Sequence, residues 1–507
     1  MLRREFIAGL AALAASPVLA QDAPPKGLQL GAGVAFKADN VIDLARNLSK
    51  QAYKAPASVP EEWTQISYED YQSIWFDNRN ALWNNQEDVP LRLDVFAPGL
   101  YFPHPVEISI VENGVAAPLL FDMEMFGTTD KFPELPVGDS LGYSGLRLRA
   151  ELQRAGIYEE FAVFQGASYF RAIGNGNIYG LSARALAIDT AQERGEEFPV
   201  FRAFWLEKPN AKGKAFVVHA LLDSPSCTGA YRFEITPGEA LVMDIEARLF
   251  PREDMEHLGV APLTSMFQYD QTNRHKFTDF RPAVHDSDGL LIVNGAGETL
   301  WRPLANPAHL QISSFIDNNP TGFGLMQRAQ EYRDFADLEA LYHRRPGVWV
   351  EPKGDWGAGA VTLVEIPTPS EVFDNIVCFW TPKEIWRAGS DHALSYRLTW
   401  SQDNMYGNGL AVRNTMIGSA FENRGIIVVI DFDAGAKMPT DFSAISHPIQ
   451  ASAGKVSSGV LQRNPETGGP RLAFKFEPDG AKTIEFRTQL LVDDTPLSEI
   501  WLYRWTV

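Results

Sequence analysis

Apolar and polar residues alternate with a period of two along most of this chain. Val106, Ile108 and Ile110 lie opposite Glu107 and Ser109, and Asn113-Gly114 follows as a turn. Leu241, Met243, Ile245, Ala247 and Leu249 alternate in the same way with Asp244, Glu246 and Arg248. Such segments predict half-buried antiparallel strands. Ile426 to Ile430 is apolar throughout and predicts a buried strand, while Leu472, Phe474 and Phe476 are expected to pair with Ile484, Phe486 and Thr488 across Asp479-Gly480. Helical patterns are sparse. Asp39 stands where it could cap a helix running to about Lys54, with Val41, Leu44, Ala45 and Leu48 on one face. Phe335, Leu338, Leu341 and Tyr342 recur at helical spacing just before Arg344-Arg345-Pro346.

A polar stretch around Gly389-Ser390-Asp391 separates Trp380-Thr381-Pro382 from the strand pattern that restarts at Leu394, which places a boundary near 385–393. At 507 residues the chain exceeds what one core usually organises. It therefore reads as all-β dominated, with a large antiparallel β-sandwich domain over 21–388 followed by a smaller immunoglobulin-like β-sandwich domain over 393–507.

Before the first strand, Arg3-Arg4-Glu5-Phe6 precedes an apolar stretch from Ile7 to Ala15, and Val18-Leu19-Ala20 resembles a cleavage site. Residues 1–20 read as an export signal of twin-arginine type, although Leu2 replaces the usual Ser or Thr, and a Sec route stays open. No later run is long and apolar enough to span a bilayer, so no membrane insertion is expected and the periplasm is the expected compartment. A net charge of −19 argues against nucleic acid as a partner. A neutral polymer meets no such repulsion, and 12 Trp, 15 Tyr and 31 Phe supply rings on which sugar faces could stack. Cys227 and Cys378 allow one disulfide at most.

Several motifs fail. Gly174, Gly176 and Gly180 are misspaced for a dinucleotide loop, and no HExxH or paired-cysteine pattern marks a metal site. Asp286-Ser287-Asp288-Gly289 opens like a calcium loop but lacks its remaining ligands. No cofactor and no metal are expected. What remains is a dense polar and aromatic block between about 262 and 380, which holds Asp286, Asp288, Tyr342, Arg345, Trp349, Trp356 and Asp374. Glycoside cleavage by inversion needs one protonated carboxyl beside the leaving oxygen and one carboxylate acting on a water, and candidates for both are present. Each carboxylate would serve equally well as a turn cap or in a salt bridge.

The run from Glu160 to Ala172, continued by Tyr179-Gly180-Leu181-Ser182-Ala183-Arg184 and Ala187-Ile188-Asp189-Thr190-Ala191, resembles the periplasmic glucan biosynthesis proteins G and D. So do Arg281-Pro282 through Leu290, Trp301-Arg302-Pro303-Leu304, and Lys353-Gly354-Asp355-Trp356-Gly357 with Asp374-Asn375-Ile376-Val377. The resemblance covers essentially the whole mature chain. It implies a large β-sandwich with a cleft, a smaller immunoglobulin-like domain, and a role in making osmoregulated glucans with a β-1,2-linked backbone. For some members it implies inverting endo-hydrolysis of that backbone, as an endo-β-1,2-glucanase. The acid would be Asp374 and the base Asp286, working through a relay of hydroxyls and waters near Tyr342 and Arg345. Asp288 is the other carboxylate that could serve, and Trp349 and Trp356 are candidate stacking surfaces. A non-hydrolytic glucan-binding or chain-guiding factor, working with the membrane glucosyltransferase, is the competing reading. A homodimer also stays open. Burial between Phe373 and the apolar strand from Ile376 is expected to favour a protonated Asp374.

Overall fold

The computed structural model describes residues 26–210, 213–403 and 406–507. The proposed export signal lies outside the described residues. The protein is mostly β-strand in antiparallel sheets, as the alternation predicts. Its chain condenses into two compact units that are discontinuous in sequence, one built from the residues up to 264 together with 379–401 and the other from 265–378 together with 402–507.

In the first unit one sheet runs in the order Val34–Ala35, Val115–Pro118, Glu107–Glu112, Val200–Glu207, Phe216–Asp223, Cys227–Thr236, Leu241–Pro251, His392–Ser401. A second sheet carries Leu258–Ser265, Ser182–Arg184, Tyr169–Ala172, Tyr158–Gln165, Gly145–Glu151 and Leu91–Phe96. Rings from the two sheets meet edge to face, with Phe164 of one against Phe204 and Phe233 of the other, so their inner faces share a core. The hairpin at Asn113-Gly114 forms as expected, because both residues take positive φ (53° and 75°) and match the twist of the flanking strands. The expected helix is Asp39–Ser49, shorter than the pattern suggested. Asp39 lies inside its first turn rather than at the cap, where its charge still favours the helix N-terminus. Val41 and Ala45 pack against Ala230 and Phe250.

The second unit has a sheet ordered Gly347–Lys353, Gly322–Met326, Gly289–Val293, Thr299–Pro303, Ile500–Thr506, Thr483–Thr488, Ile449–Ala451. Another sheet joins Val412–Ser419, Ile426–Phe432 and Pro470–Glu477. Here two expectations are corrected. Pro470–Glu477 pairs with Ile426–Phe432, and Thr483–Thr488 pairs with Ile500–Thr506, so no hairpin closes across Asp479-Gly480. The turn itself forms, with positive φ at both residues, but it carries the chain from one sheet to the other. Phe474 and Phe486 then meet through their rings, with centroids 5.8 Å apart, rather than along strand edges. Nor do residues 335–342 form one helix. Tyr332–Phe335 ends at Ala336, whose φ is 54°, and Asp337 Oδ1 accepts from the Glu339 and Ala340 main-chain N–H groups. That local bonding outcompetes helix continuation, and only a single turn, Tyr342–Arg344, follows. Cys227 and Cys378 are buried free thiols.

Candidate active site

Every candidate residue of the polar block lies in the second unit, and three consecutive residues organise it. Phe267–Tyr269 pairs with Val284–His285, and just past that ladder the Asp286 main-chain N–H donates to the Met266 carbonyl at 2.8 Å. Asn375, next to Asp374, reaches the same segment from the other side of the sequence. Its main-chain N–H donates to the Ser265 carbonyl, its Oδ1 accepts from the Phe267 N–H at 2.8 Å, and its Nδ2 donates to the Phe267 carbonyl at 3.0 Å. Residues 265–267 thus anchor both Asp286 and the turn that bears Asp374. Ser265 adds a hydroxyl contact of 2.8 Å to Ser287.

The Asp286 side chain has no exposed surface (0%). A buried carboxylate must be paired, and Arg345 Nη1 donates to its Oδ1 at 2.6 Å. The remaining nitrogens of Arg345, Nε and Nη2, donate to the Ala340 carbonyl, and the guanidinium sits 4.5 Å over the ring of Tyr342. Burial works against the charge of Arg345, while Tyr342, Glu371, Asp337 and Asp374 each act to sustain it. Tyr342 in turn donates its hydroxyl to Glu371 Oε2 at 3.1 Å. Arg281 Nη1 donates to that same oxygen at 2.7 Å and to Asp337 Oδ2 at 2.9 Å. Burial opposes the Arg281 charge, but its bonds to Asp279 and Asp337, with Glu371 beside it, hold it firmly cationic. In the same contact the Arg281 bond pulls Asp279 down to about 2.

Behind Asp286, burial pushes His285 down to about 3. Its ring is therefore neutral at ordinary pH, and Nδ1 donates to Gln327 Oε1 at 2.9 Å. Gln327 Nε2 donates to the carbonyls of His285 and Tyr342, stitching the Asp286 strand to the Tyr342 turn. Asp288 faces a different neighbourhood. Its Oδ2 accepts the main-chain N–H groups of Arg328 and Ala329 at 2.9 and 3.0 Å, and burial raises its carboxyl to about 6. Arg328 makes two bonds to Glu499 and lies 3.7 Å over Trp301. Asp270, raised to about 7 by burial and further by Asp288, accepts from the N–H and hydroxyl of Thr272.

The structure thus brings Asp286, Tyr342 and Arg345 together, with Asp374 near enough to act on Arg345. It does not do the same for every expected residue. Asp374 is half-buried, and Phe373, expected to cover it, is 38% exposed, so apolar burial is not what surrounds this carboxyl. Trp349 is 5% exposed and stacks on Tyr406 with centroids 4.5 Å apart. It is a core residue with no free face for a sugar. Trp356 is half-buried in the turn after Gly347–Lys353, its N–H bonded to Asn319 Oδ1. Glu371 was missed. Its only sequence signal is its place three residues before Asp374, and its partners come from 29 and 90 residues away. Among the described residues no group of three or more His, Cys, Asp or Glu could hold a metal ion.

A family model described as "Periplasmic glucan biosynthesis protein, MdoG" matches residues 36–505. The chain belongs to this family. Two relatives of the MdoG-family chain are "Glucans biosynthesis protein G" of Vibrio cholerae serotype O1 and the protein of that name in Shewanella sp. strain ANA-3. The first is 47% identical over 477 residues, and the second 45% identical over 479. Each alignment covers 93% of this chain and 87% of the relative. The resemblance read from residues 160–191, 281–304 and 353–377 therefore holds, and all candidate residues of this MdoG-family site fall inside the matched span. No described helix is long and apolar enough to cross a membrane.

Proposed function

We propose that this protein works in the periplasm in the making of glucans and cleaves their linear β-1,2-linked backbone as an inverting endo-hydrolase. The observation that carries this reading is the anchoring of Asp286 and Asp374 on residues 265–267, with Arg345 under the influence of both. Asp374, the more accessible carboxyl, gives its proton to the leaving glycosidic oxygen as the bond to the anomeric carbon breaks. A water attacks that carbon from the opposite face and loses a proton, which ends on Asp286. Asp286 has no exposed surface, so the proton must cross intermediate hydroxyls or waters. On this reading Tyr342 lies at the start of such a path, and Arg345 pairs with Asp286 and orients it.

Full burial and ion pairing of Asp286 also favour a second reading, in which that residue only holds the site in shape and the protein binds or guides glucan without cutting it. Incubating wild type, Asp374→Asn and Asp286→Asn with linear β-1,2-glucan separates the two. The hydrolase reading expects inverted oligosaccharides from wild type alone. Binding without products at any protein concentration would establish the guiding role instead.

A further inference from the structure

Away from the candidate active site, the second unit holds a cavity of about 490 Å³, within the range of ligand pockets. Its walls are unusual. Ile312, Ser313, Ser314 and Phe315 all line it, and so do Gln450, Ala451 and Ser452. Consecutive side chains of a strand point to opposite faces, so a run of neighbours lines a cavity only where the cavity runs along the strand's edge. Both runs belong to strands with an open edge. Gln311–Asn318 pairs with Ala358–Glu365, and Ile449–Ala451 pairs with Thr483–Thr488; among the described residues neither has a second partner strand.

An open edge presents a row of main-chain donors and acceptors, and soluble proteins usually blunt it with Lys, Pro or a bulge. Gln311–Asn318 reads QISSFIDN and has none of these. Ile312 and Ile316 instead stand outward at 41% and 90% exposure, with Leu310 just before them. The charge is local as well. Arg302, Arg487 and Arg504 line the cavity against Glu485 alone, on a chain whose net charge is −19. Arg302 is committed to buried Glu365 at 3.1 Å, but Arg487 and Arg504 hold partly exposed partners, Glu298 and Glu485, that a ligand could displace at little cost.

We propose that this slot binds an extended segment of another polypeptide, which adds as a strand to the edge of Gln311–Asn318. Apolar residues at alternate positions meet Ile312 and Ile316, and carboxylates between them meet Arg487 and Arg504. A second copy of this chain is the poorer occupant, because two molecules of charge −19 repel. A sugar chain is poorer too, since Phe315 is the one ring in the wall that does not belong to the core.

The probe is a capped, fluorescent Val-Glu-Val-Glu-Val-Glu peptide, about 20 Å long when extended. Fluorescence anisotropy should report saturable binding to the full-length protein, and amide hydrogen exchange should slow within 311–316. Three changes should each weaken binding at least tenfold: an N-methylated probe that lacks main-chain donors, a Val-Lys analogue, and the Arg487→Glu/Arg504→Glu variant. Ile316→Lys, at a position almost wholly in solvent, should do the same without disturbing the core. Absence of binding up to about 1 mM, a range in which even weak specific contacts register, overturns the proposal. So does equal binding of the methylated or lysine probe. A dimer in sedimentation velocity that Ile316→Lys abolishes would give the edge to a second copy. Protection of 311–316 by linear β-1,2-glucan, lost in Phe315→Ala, would make it a sugar site. None of these outcomes bears on Asp286 or Asp374.

Discussion

Asp94 in the first unit and Asp286 in the second are both fully buried aspartates held by arginine, yet they are held in opposite ways. Asp94 lies mid-strand and directly opposite Arg147 in the ladder between Leu91–Phe96 and Gly145–Glu151. Its Oδ2 accepts from Arg147 Nε and Nη2 and from Arg149 Nε, and its Oδ1 accepts from Arg149 Nη2, all within 3.0 Å. Two guanidinium forks close on one carboxylate. Asp286 sits instead at a strand end. Arg345 gives it one nitrogen and the other two to the Ala340 carbonyl, while the next residue in the chain, Ser287, meets the Ser265 hydroxyl. The first arrangement holds a sheet in register. The second joins the aspartate to the turn that bears Tyr342, and on the proposed reading this is the aspartate that acts as the base.

The largest expected effect breaks the comparison most directly. Asp286→Asn and Asp374→Asn should each lower the rate of β-1,2-glucan cleavage by about 10²–10⁴, the usual worth of general acid or base assistance, while folding and glucan binding stay near wild type. Products at the wild-type rate from Asp374→Asn would remove it as the acid. Asp94→Asn should behave in the converse way. Loss of the charge leaves Arg147 with Glu160 as its one remaining carboxylate and Arg149 with the Tyr158 carbonyl, and breaking a buried pair commonly costs about 3–5 kcal/mol, so urea unfolding should shift. The folded fraction should cut glucan at an unchanged rate. A rate loss in folded Asp94→Asn equal to that of Asp286→Asn would erase the distinction between the two aspartates.

These expectations rest on residues that were legible to different degrees. Alternation is a local signal, and where the turn is also local, as at Asn113-Gly114, the sequence predicts both strands and their pairing. At Asp479-Gly480 the turn residues read correctly but the pairing did not, because which edge a strand joins is settled by the whole sheet and not by its neighbours in the chain. The helical spacing of Phe335, Leu338 and Leu341 failed for a different reason, since the Asp337 side chain offers the backbone better bonds than a helix would. Asp286 and Asp374 became candidates as a pair only through resemblance to a family, being 88 residues apart in the chain. Glu371 and the stitching by Gln327 and Asn375 could not be read at all. Their meaning lies in partners that only folding supplies.

Glu371 offers the next sharpening. It receives the Tyr342 hydroxyl and Arg281, so Glu371→Gln should keep the hydrogen bond but weaken the ionic tie that fixes the Tyr342 turn. We expect a loss of about tenfold in rate, within the range of general acid–base and positioning effects. The loss should fall on kcat more than KM, with a stability change too small to account for it. An unchanged rate would leave Tyr342 outside the proton path.

The smallest effect concerns pH and tests whether the carboxylates behind the site stand apart from it. Asp270 carries a folded pKa of about 7 against an ordinary 3.8, chiefly from burial. A raised carboxyl binds its proton more tightly in the folded state, so between pH 4 and 7 the native protein holds more protons than the unfolded chain. Stability therefore falls as pH rises through that window, by at most about 1.4 kcal/mol per pH unit for one such group, and is level above it. His285, depressed to about 3, acts in the opposite sense. The unfolded chain gains its proton first, so stability rises with pH from about 3 to the ordinary histidine value. In wild type the falling contributions of Asp270 and of Asp288, which burial raises to about 6, oppose the rising one of His285. Asp270→Asn removes the larger falling contribution and leaves that of Asp288, so urea midpoints measured from pH 4 to 7 should slope more upward with pH than in wild type. The substitution should leave the pH profile of glucan cleavage unmoved, because Asp270 bonds to Thr272 and neighbours Asp288 rather than Asp286. A shifted cleavage profile would mean that Asp270 and Asp288 titrate together with the reacting groups, and the site would have to be redrawn to include them.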